Sequence, residues 1–167
     1  MDKLKALLAE NNLTASYLKK GDRIDIAGQF KIKAVWPSEN TKISILNQAS
    51  NINEISNDSS LVLLLSCDRF KFLITGDTSS LLLSQKQDLS NINIIKVPHH
   101  GGEGSLGEKS LTRLNPKLVV ISVGKNKYGH SSKEAVVLLK KFNIMILRTD
   151  LNGEIEIVSN EKSGKPN

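Results

Sequence analysis

Residues 94–101, Ile-Ile-Lys-Val-Pro-His-His-Gly, combine a short apolar run, a proline and two adjacent histidines followed by glycine. The chain of 167 residues contains only three histidines, and two of them stand here. An earlier apolar run, Phe70–Thr75, ends in a similar way, in Gly76-Asp77. Both runs predict strands whose C-terminal ends deliver side chains to a loop, where rigid scaffolds commonly place chemistry. Imidazole and carboxylate ligands suit zinc, manganese or iron, so the pattern indicates a candidate metal site.

Each of these residues also has a simpler structural explanation. Asp77, directly after a strand and a glycine, is typical of a turn or of a helix N-cap. His130 stands alone in a loop, where a solvated surface histidine is common. The His99–His100 pair is harder to explain by packing, because both imidazoles need hydrogen-bond partners. The pair is therefore the strongest single indication of ligand or acid–base function.

Composition and charge set broad limits on the function. With 39% hydrophobic and 24% charged residues, the chain fits one globular domain. Its longest apolar runs are too short to span a bilayer, and its N-terminus lacks the apolar segment of a secretory signal. The single cysteine, Cys67, excludes an internal disulfide. A net charge of +6 favours anionic partners such as nucleic acid, although the lysines are dispersed along the sequence.

Apolar periodicity and turn residues predict a mixed sheet with helices packed against it, an α/β (α+β) arrangement. The predicted helices are 2–11, 79–89, 105–114 and 132–142, with Ser79 or Ser80 and Ser132 as N-caps. The predicted strands are 23–26, 30–36, 61–67, 69–75, 92–97, 118–122, 144–147 and 154–158. The last two surround the turn Asn152-Gly153. Residues 38–59, rich in Asn and Ser, predict a long loop, and residues 159–167 predict a polar tail.

Taken together and in order, these segments resemble the C-terminal part of the metallo-β-lactamase-fold domain of ComEC-type DNA-uptake (competence) proteins. The similarity runs from about Leu18 to Val158. Its segments are Gly21-Asp22 through Trp36-Pro37, Asn57–Leu63, Phe72–Asp77, Lys96–Gly101 with Ser105, Asn115-Pro116 through Gly124, Asn126–His130 and Arg148–Gly153. The family has "LLTGD", "KVPHHGS", "NPYGHP" and "RTDxxG" at the corresponding strand ends and loops.

The resemblance implies an αββα fold and a two-metal hydrolase centre, with zinc or manganese as the ions. In that family Asp77 would bridge the metals and take part in catalysis, and a histidine of the His99–His100 pair would bind one metal. His130 would act near the scissile phosphate. The resemblance also assigns substrate contacts, at Asn57, Ser60, Ser105 and Tyr128. Two cations generate hydroxide at neutral pH and stabilise both oxygens of a phosphodiester displacement.

The sequence departs from the family in one important respect. Such domains carry a His-x-His-x-Asp-His loop in their N-terminal half, and no histidine precedes His99 here. Residues 1–158 therefore resemble the C-terminal half of the αββα sandwich, with helices on one face of its sheet, and residues 159–167 are the tail. With so few ligands, we expect divalent metal ions to be weakly bound or absent in this chain.

Three functions are compatible with this half-domain. The first is metal-dependent hydrolysis of DNA phosphodiesters linked to DNA uptake, with the isolated chain inactive. The second is a catalytically inactive interaction module that completes a partner chain, either an N-terminal half-domain or a membrane channel chain. The third is a small-ester hydrolase of the same fold. We also expect self-association, because half of a sandwich leaves an apolar sheet face uncovered.

Overall fold

The computed structural model describes residues 2–38, 57–159 and 164–166. Most of the predicted elements are present within these ranges. The helices are α1 (Asp2–Glu10), α2 (Ser80–Gln85), α3 (Glu108–Leu114), α4 (Lys133–Lys141) and α5 (Thr149–Asn152), with a 3-10 turn at Pro98–Gly101. The strands are β1 (Arg23–Ile26), β2 (Phe30–Trp36), β3 (Val62–Cys67), β4 (Phe70–Ile74), β5 (Ile94–Lys96), β6 (Leu118–Ile121), β7 (Met145–Arg148), β8 (Ile157–Ser159) and β9 (Gly164–Pro166). The predicted loop at 38–59 lies mostly outside the described residues.

Strands β1 to β7 form one mixed sheet in sequence order. The first four strands are antiparallel neighbours, joined by the two hairpins that the sequence predicts. Strands β4, β5, β6 and β7 then run parallel to one another. Each parallel connection passes through a helical segment, as a crossover between parallel strands requires. The expectation of a mixed sheet with helices is confirmed.

One face of the sheet, which we call the helix-covered face, carries the main core. Alternation along the strands places Leu73, Ile95 and Val119 on this face, and all three are fully buried. Apolar side chains of α2, α3 and α4 pack against them, including Leu83, Leu111 and Leu139. The other members of this core are Val35, Trp36, Val62, Leu82, Leu89, Ile92, Val97, Leu106, Leu114, Ile121, Val123 and Ile144.

The opposite face, which we call the open face, is also apolar but is covered only in part. By strand alternation and register it comprises Ile24, Ile26, Phe30, Ile32, Leu63, Leu65, Phe70, Phe72, Ile94, Leu118 and Val120. Ile155 and Ile157 pack against its β4–β6 end. At the other end Ile26 and Phe30 remain 48% and 47% exposed. Among the described residues, helices therefore cover one face of the sheet, and the open face is covered only in part.

The N-termini of α2 and α4 lie where the sequence predicts them, whereas the C-terminus of α2 does not. Ser79 Oγ accepts from the Leu82 backbone N–H at 3.3 Å, and Ser132 Oγ accepts from Ala135 at 3.1 Å, which makes both serines N-caps. Helix α2 ends at Gln85 rather than at residue 89. The backbone leaves the helix at Lys86, with φ −80° and ψ 93°, and the ammonium group of Lys86 lies 3.5 Å from the centre of the Trp36 ring.

The strands predicted on either side of Asn152-Gly153 are present as β7 and β8, although β8 begins at Ile157 rather than at residue 154 and the two strands do not pair with each other. Residues Thr149–Asn152 form the short helix α5, and β8 pairs with Gly164–Pro166 in a separate two-stranded sheet. Arg148 makes two charge-assisted hydrogen bonds to Asp150, and the Asn152 side chain accepts from the Arg148 backbone N–H. These bonds favour a tight helical turn over an extended pair. None of the described helices is both long and apolar enough to cross a bilayer.

Candidate functional site

The candidate site lies at one edge of the sheet, where the parallel strands β4, β5 and β6 end. Because these strands are in register, their C-terminal ends bring three loops together. The first loop contains Asp77, the second contains His99 and His100, and the third contains His130. The His99 backbone N–H donates to the Gly76 carbonyl at 3.3 Å, which joins the first two loops directly.

The loop that carries Asp77 is fixed by buried hydroxyl groups. Thr75 is fully buried and its Oγ1 donates to the Lys96 carbonyl at 2.7 Å, while Thr78 Oγ1 donates to the Thr75 carbonyl. Gly76 has a φ of +59°, and a Cβ placed on it would lie 2.6 Å from the Cβ of Ser60. Glycine is therefore required both for conformation and for space. The turn holds the Asp77 carboxylate at the sheet edge.

The histidine pair occupies a strained turn. His99 and His100 both have left-handed backbone conformations, with φ values of 46° and 52°. Such conformations are costly for residues with a side chain and concentrate at functional sites. His100 Nδ1 lies 2.6 Å from the Ser122 carbonyl oxygen, so this nitrogen carries the proton and donates. In the neutral form of the imidazole, Nε2 then carries the lone pair that a metal ligand or a proton acceptor needs.

His130 comes into contact with both other histidines. Its ring centre lies 5.0 Å from that of His99 and 6.3 Å from that of His100. The ring rests on the backbone of Gly102, where a Cβ would lie 2.6 Å from His130 Cε1. Any larger residue at position 102 would displace the imidazole. All three histidines of the sequence therefore converge at one place.

Asn126, which the sequence analysis did not select as a site residue, holds the loop that carries His130. Its Nδ2 donates to the carbonyls of Gly124 and His130, at 2.9 and 2.6 Å. Its Oδ1 accepts from the backbone N–H groups of Tyr128 and His130, at 3.0 and 3.1 Å. One amide side chain thus makes four hydrogen bonds within a single turn. Asparagine four residues before a loop histidine was the signal available in the sequence.

Burial lowers the pKa of two basic groups at the site, His130 and Lys96. Burial lowers the pKa of His130, the neighbouring His99 and His100 lower it further, and the Asp77 carboxylate acts in the opposite direction. Burial also lowers the pKa of Lys96, which Asp77 again opposes. Lys96 Nζ donates to the Gly76 carbonyl at 3.1 Å and so ties β5 to the Asp77 loop. His130 is therefore available as a proton acceptor at neutral pH.

A cavity of about 560 Å³ opens beside the histidines. His100, His130 and Tyr128 line it, together with Ser122, Val123, Gly124, Lys125, Asn126 and Thr149. This volume lies within the usual range for small-molecule sites. No carboxylate is among these lining residues, so the cavity is compatible with an anionic ligand.

The predicted substrate-contact residues are found in different surroundings. Tyr128 lines the cavity and is 72% exposed. Ser60 Oγ accepts from the Asp77 backbone N–H at 3.1 Å, and Asn57 contributes its carbonyl to the turn before it. Ser105 is buried, and its hydroxyl has no hydrogen-bond partner within the described ranges. Ser60 and Asn57 therefore support the Asp77 loop, and a substrate contact by any of the four residues stays a prediction.

The residues of this chain fit only part of a metal site. Within residues 2–38, 57–159 and 164–166, no group of three or more His, Cys, Asp or Glu side chains is arranged to hold a metal ion. Catalytic zinc sites use three protein ligands and leave one position open. The imidazole of His100 and the carboxylate of Asp77 are donor types that zinc accepts, but they do not form such a group with a third ligand among the described residues.

Two curated proteins are similar in sequence to this chain. It is 37% identical to ComE operon protein 3 of Bacillus subtilis over 107 residues, which cover 60% of this chain and 13% of that protein. It is 23% identical to Recombination protein 2 of Haemophilus influenzae over 127 residues, which cover 73% of this chain and 16% of that protein. The chain thus spans less than a fifth of either relative. No model of a known protein family matches it.

Comparisons with solved structures indicate the fold. A metal-dependent hydrolase from Parabacteroides distasonis superposes with a TM-score of 0.53 and 19% identity, over 86% of this chain and 61% of that one. A variant of the CmlA β-hydroxylase superposes with a TM-score of 0.52 and 10% identity, over 87% of this chain and 34% of that one. The chain shares the fold of these two structures. The sequence similarity to ComE operon protein 3 supports the resemblance of the chain to the metallo-β-lactamase-fold domain of ComEC-type proteins.

Proposed function

We propose that this domain is the C-terminal half of a metal-dependent hydrolase that cleaves DNA phosphodiester bonds during DNA uptake. The observation that carries the proposal is the convergence of His99, His100 and His130 at the sheet edge that also presents Asp77. A neutral imidazole beside a carboxylate, at the mouth of a cavity without acidic lining residues, suits acid–base chemistry on an anionic ester.

The other half of the centre would come from polypeptide outside these 167 residues. The family's His-x-His-x-Asp-His segment would add the missing ligands, and zinc or manganese would then be held jointly by both halves. The open face supports this proposal, because among the described residues it is covered mainly at its β4–β6 end, by Ile155 and Ile157, while Ile26 and Phe30 at the other end stay about half exposed. About two fifths of the solved hydrolase of this fold has no counterpart here, since this chain covers 61% of it. That remainder is the size of piece expected to cover the open face.

Each residue of this chain has a distinct proposed role in the completed centre. Asp77 and one histidine of the His99–His100 pair would contribute metal ligands. His130 would hold or accept a proton near the scissile phosphate, for which its lowered pKa prepares it. Asn126 and Lys96 would act as positioning residues, because their hydrogen bonds hold the His130 loop and the Asp77 loop.

The proposal is tested by reconstitution. The chain is combined with a polypeptide that carries the His-x-His-x-Asp-His segment, and cleavage of a labelled DNA strand is measured with added manganese or zinc. We expect cleavage only from the combination, with at least a hundredfold loss on Asp77→Asn or His130→Ala. Asp68→Asn is the matched control, because Asp68 lies at a hairpin tip with φ 48°, a conformation that asparagine also adopts. Equal cleavage by Asp77→Asn and the parent would contradict the proposal.

A second candidate is a catalytically inactive interaction half-domain. It is favoured by the lack of a metal-binding group within the described residues and by the partly covered sheet. In the reconstitution this candidate predicts a stable complex without metal-dependent cleavage. A small-ester hydrolase would instead cleave a chromogenic ester and leave the DNA strand intact.

A further inference from the structure

We infer that the Tyr128 ring forms a stacking platform for an unpaired nucleic-acid base, in a subsite that flanks the histidine cluster. The inference rests on the proposed function and specifies the form of its substrate, a single strand. Tyr128 lines the cavity of about 560 Å³ and exposes 72% of its surface. The other tyrosine, Tyr17, is 83% exposed but does not line this cavity.

Hydrogen bonds within the loop fix the backbone that carries the Tyr128 ring. Its backbone N–H donates to Asn126 Oδ1 at 3.0 Å, and the same amide fixes His130. The rings of Tyr128 and His130 are inclined by 26°, with their centres 6.0 Å apart, which is within the range of offset aromatic pairs. Because the backbone is already ordered, a base that stacks here meets a small entropic cost.

Positive charge surrounds the platform. Lys127 Nζ lies 5.6 Å from the centre of the Tyr128 ring, and Lys125 lines the cavity on the same loop. Both lysines are exposed, so they can meet the phosphates of a strand. An aromatic ring beside flexible cations is the combination by which proteins bind single strands without reading their sequence.

The same geometry argues against a paired base as the ligand. A base inside a duplex already stacks on its neighbours and offers only its edges to the grooves. A ring that protrudes beside a cavity reaches the flat face of a base only when the base is unpaired or flipped out. The platform is therefore specific for single strands or for frayed ends.

Binding without metal tests the inference separately from hydrolysis. The probes are a fluorescein-labelled strand of eight thymidylates and an abasic strand of the same length, and fluorescence anisotropy gives the dissociation constants. Tyr128→Ala should weaken binding of the thymidylate strand about tenfold, as expected for the loss of one stacked base. Its effect on the abasic strand should be less than twofold. Tyr128→Phe should bind like the parent, because the ring alone is required, and Tyr17→Ala is the matched control.

Lys127→Gln separates charge from stacking. It should weaken binding of both strands alike and reduce the slope of log K against log salt by about 0.7, the value for one phosphate contact in a single strand. Tyr128→Ala should leave that slope unchanged. Together the two variants distinguish a platform for bases from a general basic surface.

Three results would overturn the inference. They are no measurable binding of the thymidylate strand by the parent chain at low salt, equal losses on both strands for Tyr128→Ala, and an effect of Tyr17→Ala as large as that of Tyr128→Ala. None of these results depends on cleavage. A failure of the reconstituted nuclease with a preserved Tyr128 effect would count against the proposed hydrolysis alone.

Discussion

The two faces of the sheet are made of similar residues but have different surroundings. On the helix-covered face, Leu73 and Ile95 are fully buried beneath three helices. On the open face, Ile26 and Phe30 keep nearly half of their surface exposed, although their strands have the same alternation. Apolar periodicity predicts only that a face of the sheet is buried. Strand alternation alone does not determine which polypeptide covers a face, so under the half-domain proposal the open face is the surface that the other half would cover.

The largest effect should follow truncation on the helix-covered face. Ile95→Ala removes a side chain that is fully enclosed, and we expect it to lower the free energy of unfolding by about 2–5 kcal/mol. Ile26→Ala is the matched variant on the open face, and we expect it to cost less than about 1 kcal/mol because much of its surface is already hydrated. Urea denaturation measures both values. Equal losses would mean that the open face is covered in the isolated chain.

A charge on the open face should change association more than stability. Ile26→Glu places a carboxylate in the exposed apolar patch, and we expect it to weaken self-association of the pure chain at least tenfold. Sedimentation velocity over a range of concentrations gives the association constant, and binding of a hydrophobic dye gives an independent measure. Lys31→Glu is the control on the same hairpin, because strand alternation directs residue 31 to the other face. A monomeric parent chain that binds no dye would contradict the half-domain proposal.

The parts of the fold that could be predicted are those whose contacts are local in the sequence. The hairpin at Asp68 and the N-cap at Ser132 depend on residues within a few positions, so the sequence contains their full cause. Thr149 is different, because its Oγ1 donates to the Val123 carbonyl at 2.7 Å and accepts from the Val123 N–H. Such a contact across 26 residues stabilises the helical turn α5, which the local sequence pattern does not predict.

Sequence motifs predict the main residues of the candidate site, and the structure adds the residues that support them. Asp77, His99 and His100 stand out because they follow apolar strands, and His130 belongs to the matched segment Asn126–His130. The hydrogen bonds of Asn126 and the contact of Gly102 with His130 do not stand out, because they arise only when the third loop folds back on the second. An asparagine four residues before a loop histidine is a weak signal, since loop asparagines and glycines are common in any sequence.

Gly102→Ala should disturb the site with a moderate effect. The added methyl group would lie 2.6 Å from His130 Cε1, so we expect the imidazole to move and the free energy of unfolding to fall by about 1–3 kcal/mol. Gly124→Ala is the control, because a Cβ there meets nothing within 4 Å. NMR spectra of the histidine rings follow the displacement. Unchanged His130 signals in Gly102→Ala would show that the ring is not in contact with the residue 102 backbone.

The smallest effect should appear in the titration of His130. Its pKa lies below the ordinary value of 6.5 because of burial and the nearby His99 and His100. A lowered folded-state pKa means that the native state disfavours the proton, so this contribution to stability is present above the unfolded value and is lost as the pH falls through that region. His99→Ala removes one of the neighbouring imidazoles that lower the pKa of His130 and should raise that pKa towards its ordinary value, as measured by NMR. On the helix-covered face, Val119→Ala should leave that pKa unaltered, because Val119 lies beneath the helices rather than among the imidazoles. A pKa of His130 that does not respond to His99→Ala would show that the histidines act separately, and that the sheet edge carries no electrostatically coupled cluster.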